Sequence, residues 1–227
     1  MIPRTIKSFV IRQRTTNAQA RAIDAFSERY VLSVPLLLAT GATSLDLQSI
    51  YGNNNPLVLE IGFGMGDATW QIAHNHPDIN YLAIDVHEAG VGALLLKIAE
   101  HGITNLRIIN YDAVDVLQKL ITPKSLLGFH VFCPDPWPKR RHLKRRLLQA
   151  EFIARLMQYL HEDGYIHIIT DHEDYKNFIE DSIKSNELKY DLYQNNPYNS
   201  RPETKFEQRA LNSGGSIWDF VIFNHQV

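Results

Sequence analysis

The sequence predicts an α/β fold with a doubly wound, mostly parallel sheet of seven strands. Three observations predict it: short apolar segments rich in β-branched residues recur, helical segments alternate with them, and a glycine-rich turn follows the first apolar segment. The last two strands are expected to be joined by a long loop without a helix. Sheets of this kind bind their ligands at the carboxyl ends of the strands.

The chain has 227 residues, which is enough for one sizeable core, and we expect it to divide at a polar turn that ends at Pro56. Residues 1–55 are predicted to form a basic N-terminal arm and a helix, and residues 56–227 a single catalytic domain. The arm, residues 1–16, is either a solvated terminus or a functional segment. Asn17 is expected to cap a helix over residues 18–29.

The predicted elements of the catalytic domain follow in chain order. Strands are expected at residues 57–61, 80–85, 105–110, 127–133, 165–170, 188–194 and 217–223. Helices are expected at residues 67–74, 90–100, 113–120, 148–160 and 173–183, and Gly102 is expected to close the second of these.

The net charge of −2 does not indicate a nucleic-acid-binding protein, but the distribution of charge does. Five basic residues precede the first acid, and six of the eight residues at 139–146 are Lys or Arg. No apolar run is long enough to cross a membrane. Cys133 is the only cysteine, so no internal disulfide can form, and a reducing cytoplasm is the expected location.

Gly62, Gly64 and Gly66 follow the first strand at alternate positions and predict a tight loop on which a cofactor can lie. The spacing G-x-G-x-G is one residue shorter than the dinucleotide fingerprint. Glu60 is a carboxylate within the preceding apolar strand. It either caps a nearby amide or faces the ligand.

Four carboxylates are predicted at one edge of the sheet, because each ends or follows a parallel strand: Glu60, Asp85, Asp112 and Asp135. A pyrophosphate beside these acids would cost several kcal/mol in a cleft of low dielectric. A sulfonium and an ammonium group fit them well, so we expect the cofactor to be S-adenosylmethionine. Gly62 and its neighbours would then offer amides to the methionine end, although any one of these acids could be a helix cap.

Pro134-Asp135-Pro136-Trp137-Pro138 is the most specific segment, because three prolines hold one carboxylate beside an aromatic ring. The basic residues at 139–146 are expected at a helix start, where the helix dipole disfavours them. They are interpreted as a patch that binds phosphates, with a solvated face as the alternative.

These motifs resemble those of the bacterial tRNA (guanine-N7)-methyltransferases. The matching segments include S-F-V-x-R-Q at 8–13, L-E-I-G-F-G-M-G at 59–66, D-V-H and G-V-G at 85–92, N-L-R and D-A-V at 105–114, P-D-P-W and its basic tail at 134–146, T-D-H at 170–172 and E-T-K-F-E-Q-R at 203–209. The resemblance implies a class I methyltransferase (Rossmann-like) fold, S-adenosylmethionine as cofactor and tRNA as substrate. Family members often carry glutamate where this chain has Asp85.

The resemblance also implies two sets of site residues. Cofactor contacts are expected at Glu60, Asp85, Asp112 and Asp135. Contacts with tRNA or guanine are expected at Lys139, Asp171, Thr204, Lys205, Phe206 and Glu207.

In this interpretation the target is N7 of a guanine in the variable loop of tRNA. Guanine N7 already has a lone pair in the ring plane, so its methylation needs no general base. Asp171 or Glu207 is expected to accept hydrogen bonds from guanine N1 and N2, and Asp135 to act as the catalytic residue by stabilising the transferred charge.

Three other functions are compatible with parts of this pattern. An NAD-dependent oxidoreductase would need the longer glycine spacing. A non-catalytic RNA-binding protein would not need four carboxylates, and a methyltransferase for another nucleobase or for protein is separated only by its product. No metal is expected, because the histidines have no ligand spacing with Cys or carboxylate partners.

Overall fold

The computed structural model describes residues 14–195 and 201–224 of the chain, and a seven-stranded sheet forms its centre. The strands are β1 Leu57–Ile61, β2 Asn80–Asp85, β3 Leu106–Asn110, β4 Leu126–Phe132, β5 Leu160–Thr170, β6 Tyr190–Gln194 and β7 Trp218–Phe223. Their order is β3-β2-β1-β4-β5-β7-β6. The first five strands pair in parallel, and β7 runs antiparallel to both β5 and β6. The predicted fold class is confirmed.

Helices cover both faces of this sheet. They are α1 Asn17–Tyr30, α2 Val34–Ala39, α3 Leu47–Tyr51, α4 Asp67–Asn75, α5 Glu88–His101, α6 Ala113–Leu120, α7 Ala150–Tyr159, α8 Glu173–Lys184 and α9 Lys205–Asn212. Alternate residues of β1 enter two different core clusters, Leu57 and Leu59 in one and Val58 in the other. Glu60 has the same parity as Val58, so its side chain faces the layer that contains α4 and α5.

The topology places the site. The chain order reverses between β1 and β4, and the parallel strands on either side of that point all end at the same edge. Such a reversal leaves a crevice above the strand ends. The ends of β1, β2 and β4 therefore bring together segments that are far apart in the chain.

Three local expectations are wrong. The connection between β6 and β7 contains α9, which begins with a reciprocal capping box between Thr204 and Glu207. The basic residues do not start an α-helix, because Arg140–Arg145 forms a 3-10 helix and α7 begins only at Ala150. The cap of α1 is Thr16 and not Asn17, since the Thr16 hydroxyl accepts a hydrogen bond from the Gln19 amide.

The N-terminal segment lies directly on the rest of the chain. After α1, the Leu32 amide donates to the carbonyl of Ile108 in β3 at 2.8 Å. Helix α1 also packs closely on α5, because a Cβ built on Gly92 would lie 2.6 Å from the Cβ of Gln19. Residues 1–13, which contain most of the predicted basic arm and the S-F-V-x-R-Q motif, lie outside the described part of the chain.

The close packing at Gly92 gives a stability prediction. Alanine is favoured over glycine in a helix by about 1 kcal/mol, but here its Cβ would overlap Gln19 and separate α1 from α5. We expect Gly92→Ala to lower the free energy of unfolding by about 1–3 kcal/mol, as measured by urea denaturation. A rise of the size set by helix propensity would contradict this packing.

Candidate active site

A cleft lies at the carboxyl edge of the sheet, between the glycine loop that follows β1 and the start of α9. Among its lining residues are Glu60, Gly62, Gly64, Phe132, Thr204 and Phe206. The predicted site residues Thr204, Lys205 and Phe206 thus lie opposite Glu60 and Gly62, although they are distant from them in the chain.

The glycine loop is shaped by backbone contacts that exclude side chains. Gly62 and Gly64 both have positive φ values, +80° and +57°. A Cβ on Gly90, in the first turn of α5, would lie 2.1 Å from the carbonyl oxygen of Gly64. The loop is therefore held against α5, and its backbone is left open to the cleft.

Glu60 is buried, and no described basic residue offsets the negative charge of its ionised form. Burial raises the pKa of Glu60 to about 7, the Thr69 hydroxyl opposes this rise, and the negative charge of Asp85 adds to it. No cation of the described residues contributes to this pKa. A cationic ligand group in the cleft would supply the missing positive charge, so the donor set fits a sulfonium or an ammonium group.

Asp85, at the end of β2, holds the glycine loop. One of its carboxylate oxygens accepts from the Gly64 amide at 2.9 Å, and the other accepts from the His87 amide at 3.0 Å. Carboxylate oxygens can accept more than one hydrogen bond. Asp85 can therefore support the loop and still receive hydroxyl groups of a ligand.

Asp112 has a structural role that the sequence leaves open as an alternative. It is the N-cap of α6, where Oδ1 accepts from the amides of Val114 and Asp115 at 3.0 and 3.2 Å. The cap places this carboxylate at the carboxyl end of β3, beside the end of β2.

Asp135 is exposed on the proline-rich loop that follows β4. The loop is bracketed by two residues with positive φ, Cys133 at 47° and Trp137 at 39°. The guanidinium of Arg145 lies 5.0 Å from the centre of the Trp137 ring. A non-glycine residue rarely adopts such φ values, so the surrounding contacts must hold this loop in place.

The basic patch is smaller than the sequence predicts. Lys139, Arg140, Arg141 and Lys144 are exposed, but Arg146 is only 1% exposed. Its guanidinium donates to the Pro136 carbonyl and pairs with Asp174, so the prediction that Arg146 binds phosphates is wrong. Partial desolvation and the neighbouring cations Arg145, Arg141 and Lys139 lower the pKa of His142, in accord with a strongly positive surface.

The two predicted partners of guanine, Asp171 and Glu207, differ in their exposure to solvent. Glu207 is 1% exposed, and both its oxygens are occupied by Arg201, at 2.7 and 2.9 Å. It also accepts from the Thr204 amide at 2.8 Å. The structure thus places Glu207 on the buried face of the first turn of α9, as a cap and ion-pair partner, which contradicts its predicted contact with guanine. Asp171 is half-buried at the end of β5.

Lys205 reaches across the cleft. Its Nζ lies 2.9 Å from Asp67 Oδ2, and the other oxygen of Asp67 pairs with Lys97 at 3.0 Å. The ion pair joins the start of α9 to the start of α4, while the Phe206 ring beside it is 54% exposed.

Sequence reasoning missed the buried charges that hold α9. Arg201 bridges Glu207 and Asp219 of β7, and Asp219 also pairs with His167 of β5 at 2.9 Å. Only the T-x-x-E capping signal of residues 204–207 could reveal this helix, and it coincides with a motif interpreted as a binding segment.

Within residues 14–195 and 201–224, no cluster of three or more His, Cys, Asp or Glu side chains could hold a metal ion. Over the same residues, none of the helices has the length and apolar character of a membrane span.

Comparisons with known proteins agree with this geometry. A family described as "Putative methyltransferase" matches residues 54–220. The tRNA (guanine-N7)-methyltransferase of Neisseria meningitidis serogroup C is 45% identical over 227 residues, covering 97% of this chain and 91% of that protein. The tRNA (guanine-N7)-methyltransferase of Nitrosospira multiformis is also 45% identical, covering 98% and 96%. The chain belongs to the tRNA (guanine-N7)-methyltransferase family.

Membership of the tRNA (guanine-N7)-methyltransferase family confirms the predicted resemblance, and S-adenosylmethionine is the cofactor, as predicted. Among solved structures, the 16S rRNA methyltransferase KamB is similar with a TM-score of 0.57 and 16% identity, covering 78% of this chain and 92% of that one. At this identity the likeness concerns the fold alone, and it confirms the class I methyltransferase architecture.

The raised pKa of Glu60 gives a second stability prediction. The folded protein favours the neutral carboxyl, so its contribution to stability is complete below the ordinary glutamate pKa of 4.5 and is lost as the pH rises towards 7. At pH 8, without cofactor, we expect Glu60→Gln to be more stable than the wild type by up to about 3 kcal/mol, and at pH 4 the two should differ little. Thermal denaturation across this pH range measures the difference. Equal stability at pH 8 would contradict an uncompensated buried charge.

Proposed function

We propose that this protein transfers the methyl group of S-adenosylmethionine to N7 of a guanine in the variable loop of tRNA. The observation that carries the proposal is that an anionic cleft and a cationic surface lie at the same edge of the sheet. Glu60 lies buried in the cleft without a cation, and the exposed cations that begin at Lys139 follow the loop of Asp135. A cationic methyl donor suits the first surface and a folded polyanion the second.

The catalytic machinery is proposed to lie in residues 56–227, because none of the residues that line the cleft precedes Glu60. Glu60, Gly62, Asp85, Asp112 and Asp135 are proposed to contact the cofactor, which supplies an electrophilic methyl group on a sulfonium sulfur. Glu60 would offset the positive charge, and the backbone of the glycine loop would bind the methionine end.

The remaining residues are proposed to bind and align the base. Asp171 is the favoured acceptor for the N1 and N2 hydrogens of guanine, because the oxygens of Glu207 are already occupied. The exposed ring of Phe206 offers a flat apolar surface at the rim of the cleft. Thr204 and Lys205 would contact the substrate from the start of α9, and Lys139 from the patch.

Asp135 is proposed as the catalytic residue. N7 needs no general base, so the chemical work is alignment and stabilisation of the charge that moves from sulfur to the purine. An exposed carboxylate on a proline-restricted loop can face both partners without losing many conformations. Substrate binding would draw the guanine out of its stack, with the exposed cations holding the nearby phosphates.

The location is proposed to be the cytoplasm, because tRNA is there and because the lone thiol of Cys133 fits a reducing compartment. Burial raises the pKa of Cys133 to about 12, so the thiol stays protonated and unreactive at neutral pH.

The decisive assay combines labelled S-adenosylmethionine with unmodified tRNA, followed by chain scission selective for N7-methylguanosine. We expect label at one guanine of the variable loop. We expect Asp135→Asn to reduce kcat by roughly 100-fold or more, and Asp24→Asn, at an exposed acid on α1, to leave kcat unchanged. Scission elsewhere would support another nucleobase methyltransferase, and near wild-type kcat in Asp135→Asn would refute its role.

The basic patch has a test of its own. Replacing the exposed Arg140 and Arg141 by alanine should raise the Kd for tRNA and reduce the slope of log Kd against log salt by about 1 for each phosphate that is no longer bound. Affinity for S-adenosylhomocysteine should not change. Lys119→Ala with Lys184→Ala removes the same charge elsewhere and should leave the slope unchanged. An unaltered slope in the arginine variant would exclude the patch as a phosphate site.

A further inference from the structure

Arg146 is buried, whereas the other basic residues of 139–146 are exposed or half-buried. Its guanidinium lies 4.9 Å from the centre of the Tyr175 ring and 5.0 Å from that of Phe178. It pairs with Asp174, whose carboxylate is 65% exposed. Three contacts on α8 therefore hold one side of this guanidinium, and no face of it is left for a phosphate.

The other contact of Arg146 reaches the catalytic loop. Its Nε donates to the carbonyl of Pro136 at 2.8 Å, directly after Asp135. Trp137, the next residue, has a φ of 39°, a value that a bulky residue holds only when its neighbours fix the backbone. Within the described residues, the Arg146 bond is the one that ties the Pro136 carbonyl to a buried side chain.

Arg146 is anchored on α8, and this helix begins beside Asp171, the acid proposed to bind guanine. Asp174 and Tyr175 lie in the first turn of α8, which starts two residues after Asp171. Tyr175 is fully buried, and its hydroxyl accepts from the Leu148 amide at 3.2 Å, which fixes the chain just beyond Arg146. The start of α8 is thus fixed in the core, and Arg146 links the loop of Asp135 to it.

We propose that Arg146 is a positioning residue for methyl transfer. By joining the Pro136 carbonyl to the start of α8, it sets the place of Asp135 relative to Asp171. The proposal rests on the function proposed above, in which these two acids act on the methyl group and on the guanine. Arg146 touches neither reactant, and its effect passes through the backbone of the loop.

Arg146→Lys tests the proposal, because lysine keeps the charge but lacks the planar fork that joins Pro136 and Asp174 at once. We expect kcat to fall roughly 10- to 100-fold, since small displacements of a catalytic group have effects of this size. The Kd for S-adenosylhomocysteine, the Kd for tRNA and its salt slope should stay within about twofold. Arg155→Lys, at a partly buried arginine of α7, is the matched control and should keep wild-type kcat.

Two further measurements separate the alternatives. Asp174→Asn removes the charged partner of Arg146 and leaves the hydrogen bond to Pro136, so we expect a smaller fall in kcat than in Arg146→Lys. This variant keeps the proposal testable if Arg146→Lys does not fold. In protein labelled with 5-fluorotryptophan, the fluorine resonance of Trp137 should shift or broaden in Arg146→Lys, while those of Trp70 and Trp218 stay in place. This second readout does not depend on activity.

The outcomes are distinct. A wild-type kcat in folded Arg146→Lys, or an unmoved Trp137 resonance, would overturn the positioning role. A raised Kd for tRNA with a lower salt slope would overturn it in favour of a phosphate contact. If the wild type methylates no tRNA while the Trp137 resonance moves as expected, the proposed function fails and the anchoring of the loop by Arg146 holds.

Discussion

The site depends on a carboxylate buried without its countercharge. Glu60 extends from the central strand β1 into the layer of α4 and α5, and its burial raises its pKa to about 7. A fold does not keep such a group for stability, because a neutral side chain of the same shape would cost less. Around it lie a glycine loop whose backbone faces the cleft, Asp85 holding that loop, and the start of α9 on the far side.

The fold could be predicted because it depends on local patterns. The ends of β2 at Asp85 and of β3 at Asn110 follow from the alternation of apolar strand segments with helical segments. The end of α5 follows from Gly102, which caps the helix in the left-handed conformation. The position of the four acids at the carboxyl edge could also be predicted, since parallel strands bring their ends together regardless of the side chains. Of the four, however, only Glu60 lines the cleft between the glycine loop and α9. The family resemblance supplied the roles that spacing alone leaves open.

The rest could not be predicted because it depends on burial and on contacts between distant residues. Arg146 stands in a run of identical charges, and only its neighbours Tyr175 and Phe178 distinguish it from Arg141, which faces water. Glu207 likewise belongs to a binding motif in sequence, yet Arg201 and the Thr204 amide engage its oxygens. In both cases a charged residue expected to meet the substrate instead supports the segment that is proposed to bind it.

The bridge between Lys205 and Asp67 has a consequence for ligand exchange. It spans the mouth of the cleft, and its lysine is 65% exposed. Ion pairs in such a setting contribute at most about 1 kcal/mol, so the Lys205 side chain can leave Asp67 at little cost, while the buried ion pairs of Arg201 keep α9 in place. Added salt weakens this ion pair further, because it screens exposed charges. The mouth of the cleft can therefore widen through the movement of one side chain, without displacement of the helix that carries it.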